Sequence, residues 1–184
     1  MRIFIGCSYS ANVPLKYREL SSSIASFLAK DKHKLVFGGG SSGMIEKCFM
    51  TFKYEGAKTK AILDVTDAKN LEFLEVDANE VTISTFRRTE EIFKSSEIIL
   101  ILPGGIGTLA ELFSFIDAKR TKKVNIPIIL YNYDHYYDNL LKFLKNAYED
   151  SIISSKDIKL FDVVTDIKSL EKYIKSLEKE KESE

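Results

Sequence analysis

The chain has 184 residues, of which 45% are hydrophobic and 29% are charged, a composition typical of a single globular domain. Its 27 basic residues equal its 27 acidic residues, so no net charge attracts nucleic acid or an anionic membrane, and neither is expected as a partner. No segment has the roughly 20 apolar residues that span a bilayer, and no signal peptide is recognisable, so we expect a cytoplasmic protein. Cys7 and Cys48 have no metal or redox spacing and are expected to be buried apolar side chains.

Short apolar runs alternate with amphipathic stretches along the chain. The predicted strands cover residues 3–7, 35–37, 60–64, 81–84, 98–102, 126–131 and 162–164. The predicted helices cover residues 14–30, 44–54, 88–95, 108–119, 134–149 and 167–177, whereas residues 65–80 fit no clear pattern. This alternation predicts an α/β fold, a Rossmann-like doubly wound parallel sheet with helices on both faces. A single domain of residues 1–177 is expected, followed by a charged, frayed tail of residues 178–184.

Two glycine-rich loops, GGGSSG at residues 38–43 and GGIG at residues 104–107, each join a predicted strand to a predicted helix. Ligands of open parallel sheets bind beyond the carboxyl ends of the strands. Glycine exposes backbone N–H groups there, and the following helix N-terminus favours an anion such as phosphate. Thr108 opens the second helix and could either cap it or donate to the phosphate. The candidate phosphate- and ribose-binding residues are Ser8, Gly39, Gly40, Gly104, Gly105, Gly107 and Thr108.

Other interpretations of these loops remain open at this point. The glycines could simply make sharp turns, or they could bind a dinucleotide, because GGGSSG fits G-x-G-x-x-G and GIGTLA fits G-x-G-x-x-A. Asp64 then lies near the place where an acid would meet a ribose hydroxyl, although the fingerprint strand is the second in the chain and not the first. A P-loop is excluded because G-K-[ST] is absent. No metal site is expected, since His33 and His135 have no ligand spacing and are predicted to lie on the surface.

Residues 102–111 read LPGGIGTLAE and contain PGGxGTxxE, and residues 38–46 read GGGSSGMIE, which is similar to GGGxxGLMG. These motifs resemble those of the LOG family, the cytokinin riboside 5′-monophosphate phosphoribohydrolases that are often labelled possible lysine decarboxylases. The resemblance implies a Rossmann-like homodimer that needs no cofactor. It also implies hydrolysis of the N-glycosidic bond of a purine nucleoside 5′-monophosphate to free base and ribose 5-phosphate. Nothing in the sequence indicates the pyridoxal phosphate site of a decarboxylase.

The family's arginine–lysine pair has its counterpart in FRRT at residues 86–89, where Arg88 matches the arginine by spacing and Thr89 replaces the lysine. Glu46 replaces the last glycine of the first motif and could narrow or repel part of the site. Breaking an N-glycosidic bond builds positive charge on the sugar ring, which calls for a carboxylate beside the ribose. Glu111 is the expected catalytic carboxylate, one turn into its helix. Arg88 is expected to pair with it or to contact the phosphate.

Two further interpretations accompany these predictions. The aromatic and sulfur-containing side chains near the loops, Phe37, Met44 and Phe86, are interpreted as packing residues and not as base-stacking residues. The alternatives to the hydrolase are a non-catalytic nucleotide or cofactor carrier on the same scaffold and, less favoured, an NAD-dependent oxidoreductase that uses Asp64.

Overall fold

The computed structural model describes residues 1–66, 68 and 75–182, and within them strands and helices alternate as predicted. The strands are β1 Arg2–Gly6, β2 Lys34–Phe37, β3 Thr59–Asp64, β4 Ala78–Thr82, β5 Ile98–Ile101, β6 Ile128–Tyr131 and β7 Asp162–Val164. The helices are α1 Leu15–Lys30, α2 Gly43–Tyr54, α3 Thr85–Ser95, α4 Ile106–Arg120, α5 Asp138–Glu149 and α6 Ile167–Glu182. No helix in these described ranges is both long enough and apolar enough to cross a membrane.

The seven strands form one parallel sheet in the order β4-β3-β2-β1-β5-β6-β7. Ile3 of β1 lies opposite Leu35 of β2 on one side and opposite Ile98 of β5 on the other. The chain first builds outward from β1 to β4 and then crosses back to β5, so the strand order reverses between β1 and β5. Ligands of doubly wound folds bind at such a switch point, beyond the carboxyl ends of the strands.

Both faces of the sheet are covered by helices, because successive side chains of a strand point to opposite faces. Ile3 and Ile5 of β1 pack in a core with residues of α1, α2 and α6. Phe4, between them, packs in a second core with residues of α3 and α4, against which α5 also packs. The central strands are buried on both sides, which explains their continuous apolar sequences. The predicted α/β fold with a doubly wound parallel sheet is confirmed.

Several element boundaries differ from the predictions. Helix α3 begins three residues earlier than predicted, because the Ser84 side chain caps it by accepting a hydrogen bond from the N–H of Arg87 at 3.3 Å. Strand β4 begins at Ala78, within the stretch that fitted no pattern, and β6 begins at Ile128 and not at residue 126. Helix α6 continues to Glu182, beyond the predicted end at residue 177, and residues 67, 69–74 and 183–184 lie outside the described chain.

One prediction about the histidines is wrong. His33 was expected on the surface, but it is only 2% exposed at the start of β2, whereas His135 is exposed as predicted. The Nδ1 atom of His33 lies 3.0 Å from the terminal amine of Met1, and its Nε2 atom lies 3.9 Å from a carboxylate oxygen of Glu178 on α6. Helix α6 covers the ring, and a contact between segments this distant in the chain has no local signature.

Candidate active site

The loop between β5 and α4 carries a row of unpaired backbone donors. Gly105 is the N-cap of α4 and no side chain caps this end of the helix. The first backbone N–H to find an acceptor is that of Leu109, which donates to Gly105 at 3.0 Å. Within the described chain, the preceding N–H groups of Gly105, Ile106, Gly107 and Thr108 donate no hydrogen bond. Unpaired donors at the positive end of a 15-residue helix form a site for an anion.

Thr108 adds a side-chain donor to this loop. It is only 6% exposed, and its hydroxyl has no hydrogen-bond partner among the residues that the structure describes. A Cβ atom added at Gly104 would overlap the Thr108 side chain, so the two residues are in direct contact across the turn. Of the two roles considered for Thr108, the helix cap is excluded, since Gly105 occupies the cap position. The hydroxyl remains available to a ligand.

The loop after β2 lies at the same carboxyl edge of the sheet as the loop after β5. Gly39 and Gly40 adopt positive φ angles of 78° and 118°, which only glycine adopts without strain. A Cβ atom added at Gly38 would overlap the guanidinium group of Arg88, so this glycine makes room for the arginine. Gly38 was not among the candidate residues, because the overlapping side chain comes from α3, far along the chain.

Arg88 and Glu111 form an ion pair between the two loops. Nη1 of Arg88 donates to Oε1 of Glu111 at 2.9 Å, and Nε donates to the carbonyl of Ile62 at 2.9 Å. The two side chains are only 12% and 22% exposed, so solvent screens the pair less than an ion pair on the surface. Gly6 at the end of β1 adjoins this pair, since a Cβ atom there would lie 3.2 Å from Oε2 of Glu111. Arg87 instead pairs with Glu90 on the exposed side of α3.

The environment of Glu111 favours its neutral form more than water does. Burial raises the pKa of the Glu111 carboxyl above its ordinary value, and the Arg88 guanidinium offsets this only in part. Cys7 lies nearby at the end of β1, where burial and a hydrogen bond with Cys48 raise the pKa of its thiol. Both cysteines are free and buried, as predicted. A thiol of raised pKa is a poor nucleophile, so Cys7 is not a candidate for the reactive group of this cluster.

Ser8 joins the two glycine loops through its backbone. Its N–H donates to the carbonyl of Pro103 at 3.2 Å, and its carbonyl accepts from the N–H of Met44 at 2.9 Å. The segment after β1 therefore bridges the loop after β5 and the start of α2. Ser8, Gly39, Gly40, Gly104, Gly105, Gly107 and Thr108, the predicted binding residues, all lie in these three segments at the carboxyl edge of the sheet.

Asp64 and the three residues interpreted as packing residues lie outside the set of predicted binding residues. Asp64, the residue expected in a dinucleotide site, accepts hydrogen bonds from Thr66 and from the hydroxyl of Thr85, and so fixes the start of α3 to the end of β3. Phe86 is 69% exposed, so its interpretation as a packing residue is wrong. Phe37 and Met44 are fully buried, in agreement with that interpretation.

The two residues that depart from the family motifs also have defined positions. Glu46 lies half-buried in the first turn of α2, and Thr89 donates to the carbonyl of Thr85 within α3. In the part of the chain that the structure describes, no three His, Cys, Asp or Glu side chains are grouped to hold a metal ion.

Sequence reasoning missed two tyrosines behind the loop after β5. The hydroxyl of Tyr136 donates to the carbonyl of Gly104 at 2.9 Å, and the hydroxyl of Tyr137 donates to the carbonyl of Leu102 at 2.8 Å. Both belong to the connection between β6 and α5. The signal that could have found them is the polar and aromatic stretch YNYDHYYD, which follows a buried strand at the carboxyl edge of the sheet.

A family model described as possible lysine decarboxylase matches residues 34–174. The chain belongs to this family, the LOG family. Among curated relatives, the cytokinin riboside 5′-monophosphate phosphoribohydrolase LOG2 of Arabidopsis thaliana is 28% identical over 155 residues, which cover 84% of the chain and 73% of the relative. The probable cytokinin riboside 5′-monophosphate phosphoribohydrolase LOGL9 of Oryza sativa subsp. japonica is 29% identical over 170 residues, 92% of the chain and 75% of the relative.

Solved structures of other proteins share this fold. The molybdenum cofactor (Moco) carrier protein of Chlamydomonas reinhardtii matches with a TM-score of 0.70 and 20% identity, over 97% of the chain and 98% of that protein. The molybdenum cofactor binding protein of Rippkaea orientalis matches with a TM-score of 0.68 and 18% identity, over 96% of each chain. At these identities the likeness extends to the fold alone.

Proposed function

We propose that this LOG-family protein hydrolyses the N-glycosidic bond of purine nucleoside 5′-monophosphates, releasing the free base and ribose 5-phosphate. The observation that supports this most directly is the Arg88–Glu111 pair beside a helix N-terminus with unpaired donors. The curated relatives that the chain matches over most of its length are phosphoribohydrolases by name, which supports the same reaction class.

The 5′-phosphate would bind the unpaired N–H groups of Gly105, Ile106 and Gly107 and the hydroxyl of Thr108. Thr108 and Glu111 are three residues apart on α4 and are therefore neighbours on one face of the helix. A phosphate held at the helix start thus brings the ribose of the same nucleotide to the Glu111 carboxylate. The energy of phosphate binding is thus used to position the sugar beside Glu111.

Glu111 would act on the sugar when the C1′–N bond breaks. The bonding electrons leave with the base, and positive charge develops on the ribose ring, which a carboxylate beside C1′ stabilises. Water then adds to C1′, Glu111 is placed to accept its proton, and the base takes up one proton from the solvent to leave as the free base. The raised pKa of this buried carboxyl makes it a stronger base than a free glutamate. Arg88 holds the carboxylate in place and keeps enough of it ionised for both roles.

The direct test is a chromatographic panel of purine and pyrimidine nucleoside 5′-monophosphates, with free base and ribose 5-phosphate as the measured products. We expect purine monophosphates to be cleaved and the corresponding nucleosides, which lack the phosphate, to be poor substrates. Glu111→Gln should reduce turnover by on the order of a thousandfold or more, because it removes the charge opposite the developing cation. Glu90→Gln, on the exposed side of α3, is the matched control and should retain activity.

The panel, combined with measurements of ligand binding, also separates this proposal from its alternatives. A protein that is stabilised by phosphorylated ligands but releases no base from any nucleotide would be a carrier and not a hydrolase. Binding of NAD that is lost in Asp64→Ala would instead support a dinucleotide site. A panel in which no nucleotide releases its base would contradict the proposed hydrolysis.

A further inference from the structure

The Gly104–Gly105 peptide is held from one side by a tyrosine. The hydroxyl of Tyr136 donates to the Gly104 carbonyl at 2.9 Å. In a planar trans peptide the carbonyl and the N–H of the next residue point in opposite directions. A carbonyl fixed towards Tyr136 therefore directs the N–H of Gly105 away from the tyrosine, to the side where it has no partner in the described chain.

The neighbouring Tyr137 contributes differently. Its hydroxyl donates to the carbonyl of Leu102 at 2.8 Å, and burial raises the pKa of this phenol. This bond therefore holds the chain at Leu102, two residues before the peptide that Tyr136 holds.

Tyr136 is itself fixed by other aromatic rings. Its ring packs edge-to-face on Tyr137 at 4.9 Å between centroids and on Tyr17 of α1 at 5.6 Å. Tyr17 also packs on Tyr133, with 6.1 Å between ring centroids. A side chain held by two rings loses little further freedom when it makes its hydrogen bond, so the bond to Gly104 is pre-organised.

We propose that Tyr136 is a positioning residue for phosphate recognition, which aims the N–H of Gly105 at the phosphate of the substrate by holding the Gly104 carbonyl. This inference rests on the proposed function, because it assigns the phosphate to the loop before α4. The bond has a second effect in the same direction: it occupies a carbonyl oxygen whose negative end would otherwise repel an anion at the helix start.

The test compares Tyr136→Phe with Tyr133→Phe by calorimetric titration with ribose 5-phosphate and by steady-state kinetics with a cleaved nucleoside 5′-monophosphate. Tyr133 lies in the same loop and ring cluster, but its hydroxyl makes no hydrogen bond within the described residues, so it is the matched control. We expect Tyr136→Phe to bind ribose 5-phosphate about fivefold more weakly. The Gly105 N–H is then no longer directed at the phosphate, and the loss is that of the one hydrogen bond it would make there. KM should rise by a similar factor with kcat nearly unchanged, whereas Tyr133→Phe should match the wild type.

A merely structural role predicts a different pattern. Loss of fold stability alone would lower kcat and the fraction of active protein, and it would leave the affinity of the remaining folded protein for ribose 5-phosphate unchanged. That pattern, or equal affinities of the wild type and Tyr136→Phe, would overturn the inference, as would a wild-type protein that does not bind ribose 5-phosphate. If the wild type binds ribose 5-phosphate with the expected tyrosine dependence but cleaves no nucleotide, the inference stands and the hydrolase proposal fails.

Discussion

Glu111 experiences two opposing influences at the scale of a single residue. Burial favours its neutral carboxylic acid, whereas the guanidinium of Arg88 at 2.9 Å favours the carboxylate. The balance lies on the side of burial, so the pKa of Glu111 is raised. A base that must accept a proton works best when its pKa is near the working pH. In the proposed hydrolysis, the Arg88–Glu111 pair would set both the strength of the base and the fraction of it that is ionised.

Replacing Arg88 by Gln should move the acid side of the pH–activity profile to higher pH. The substitution removes the Arg88 guanidinium, which lowers the pKa of Glu111, so that pKa rises further and the carboxylate is lost at a higher pH as the solution is acidified. Activity should also fall, on the order of a hundredfold, because the carboxylate loses its positioning partner. The measurement is kcat/KM for a cleaved nucleotide as a function of pH. Arg87→Gln is the control, and an acid side that does not move in Arg88→Gln would show that another group titrates.

At the scale of elements, His33 couples the start of β2 to helix α6. Burial lowers the pKa of its imidazole below the ordinary value of 6.5, and the terminal amine of Met1 acts in the same direction, while Glu178 opposes it. The folded protein therefore binds this proton less readily than the unfolded chain. It follows that the free energy of unfolding falls as the pH drops through the unfolded value of about 6.5.

Replacing His33 by Gln should remove this part of the acid sensitivity. The measurement is the urea midpoint of unfolding at a pH above and a pH below the unfolded pKa of histidine. The wild type should lose more stability between the two than His33→Gln, even if the variant is less stable at both. His135→Gln is the matched control, because that ring is exposed and its loss should leave the pH dependence as in the wild type. A pH dependence that persists in His33→Gln would contradict the assignment.

The elements that the sequence predicts well are those with a strong local signal. Strand β5 is apolar at every position because helices cover both of its faces, and such a run is recognisable without knowledge of its neighbours. Strand β4 lies at the edge of the sheet and reads ANEVT, with mostly exposed residues, so its identity depends on pairing with β3. Its true start at Ala78 could not be predicted from its own residues.

Some residues of the candidate site could also be predicted from the sequence, and others could not. The glycine loops, Arg88 and Glu111 were predictable because their spacing forms long motifs, and the structure brings them to one edge of the sheet. Gly38 was not predictable, and for Tyr136 the sequence shows only an aromatic stretch after a buried strand, because the contacts that matter are with segments far along the chain. Tyr136 contacts a residue 32 positions away, and only the strand order places β6 beside β5.

At the scale of the whole molecule, the helical layer of α3, α4 and α5 exposes several phenylalanine side chains. Helix α5 has no fully buried residue, and its Phe143 is 64% exposed. On the same layer, Phe86 of α3 and Phe113 of α4 are also exposed. We call these three side chains the phenylalanine face. Aromatic side chains are enriched where one protein covers another, which makes this layer the candidate for an interface.

We propose that the phenylalanine face forms a homodimer, the assembly expected from the family resemblance. A two-fold dimer places the same surface of both copies together, so one substitution acts twice in the interface. Light scattering coupled to size exclusion should give about twice the chain mass of 20.9 kDa for the wild type. Phe113→Glu introduces a charge at each copy of the interface and should weaken dimerisation by at least about a hundredfold, shifting the protein to monomer.

The opposite layer supplies the control for this prediction. Met50 of α2 is an exposed apolar residue on the other face of the sheet, so Met50→Glu introduces the same charge away from the phenylalanine face. It should remain dimeric, because a charge in contact with water costs little, whereas a charge enclosed between two apolar surfaces loses its hydration. A monomeric wild type would contradict the dimer itself. A dimer that dissociates in Met50→Glu and persists in Phe113→Glu would instead place the interface on the layer formed by α1, α2 and α6.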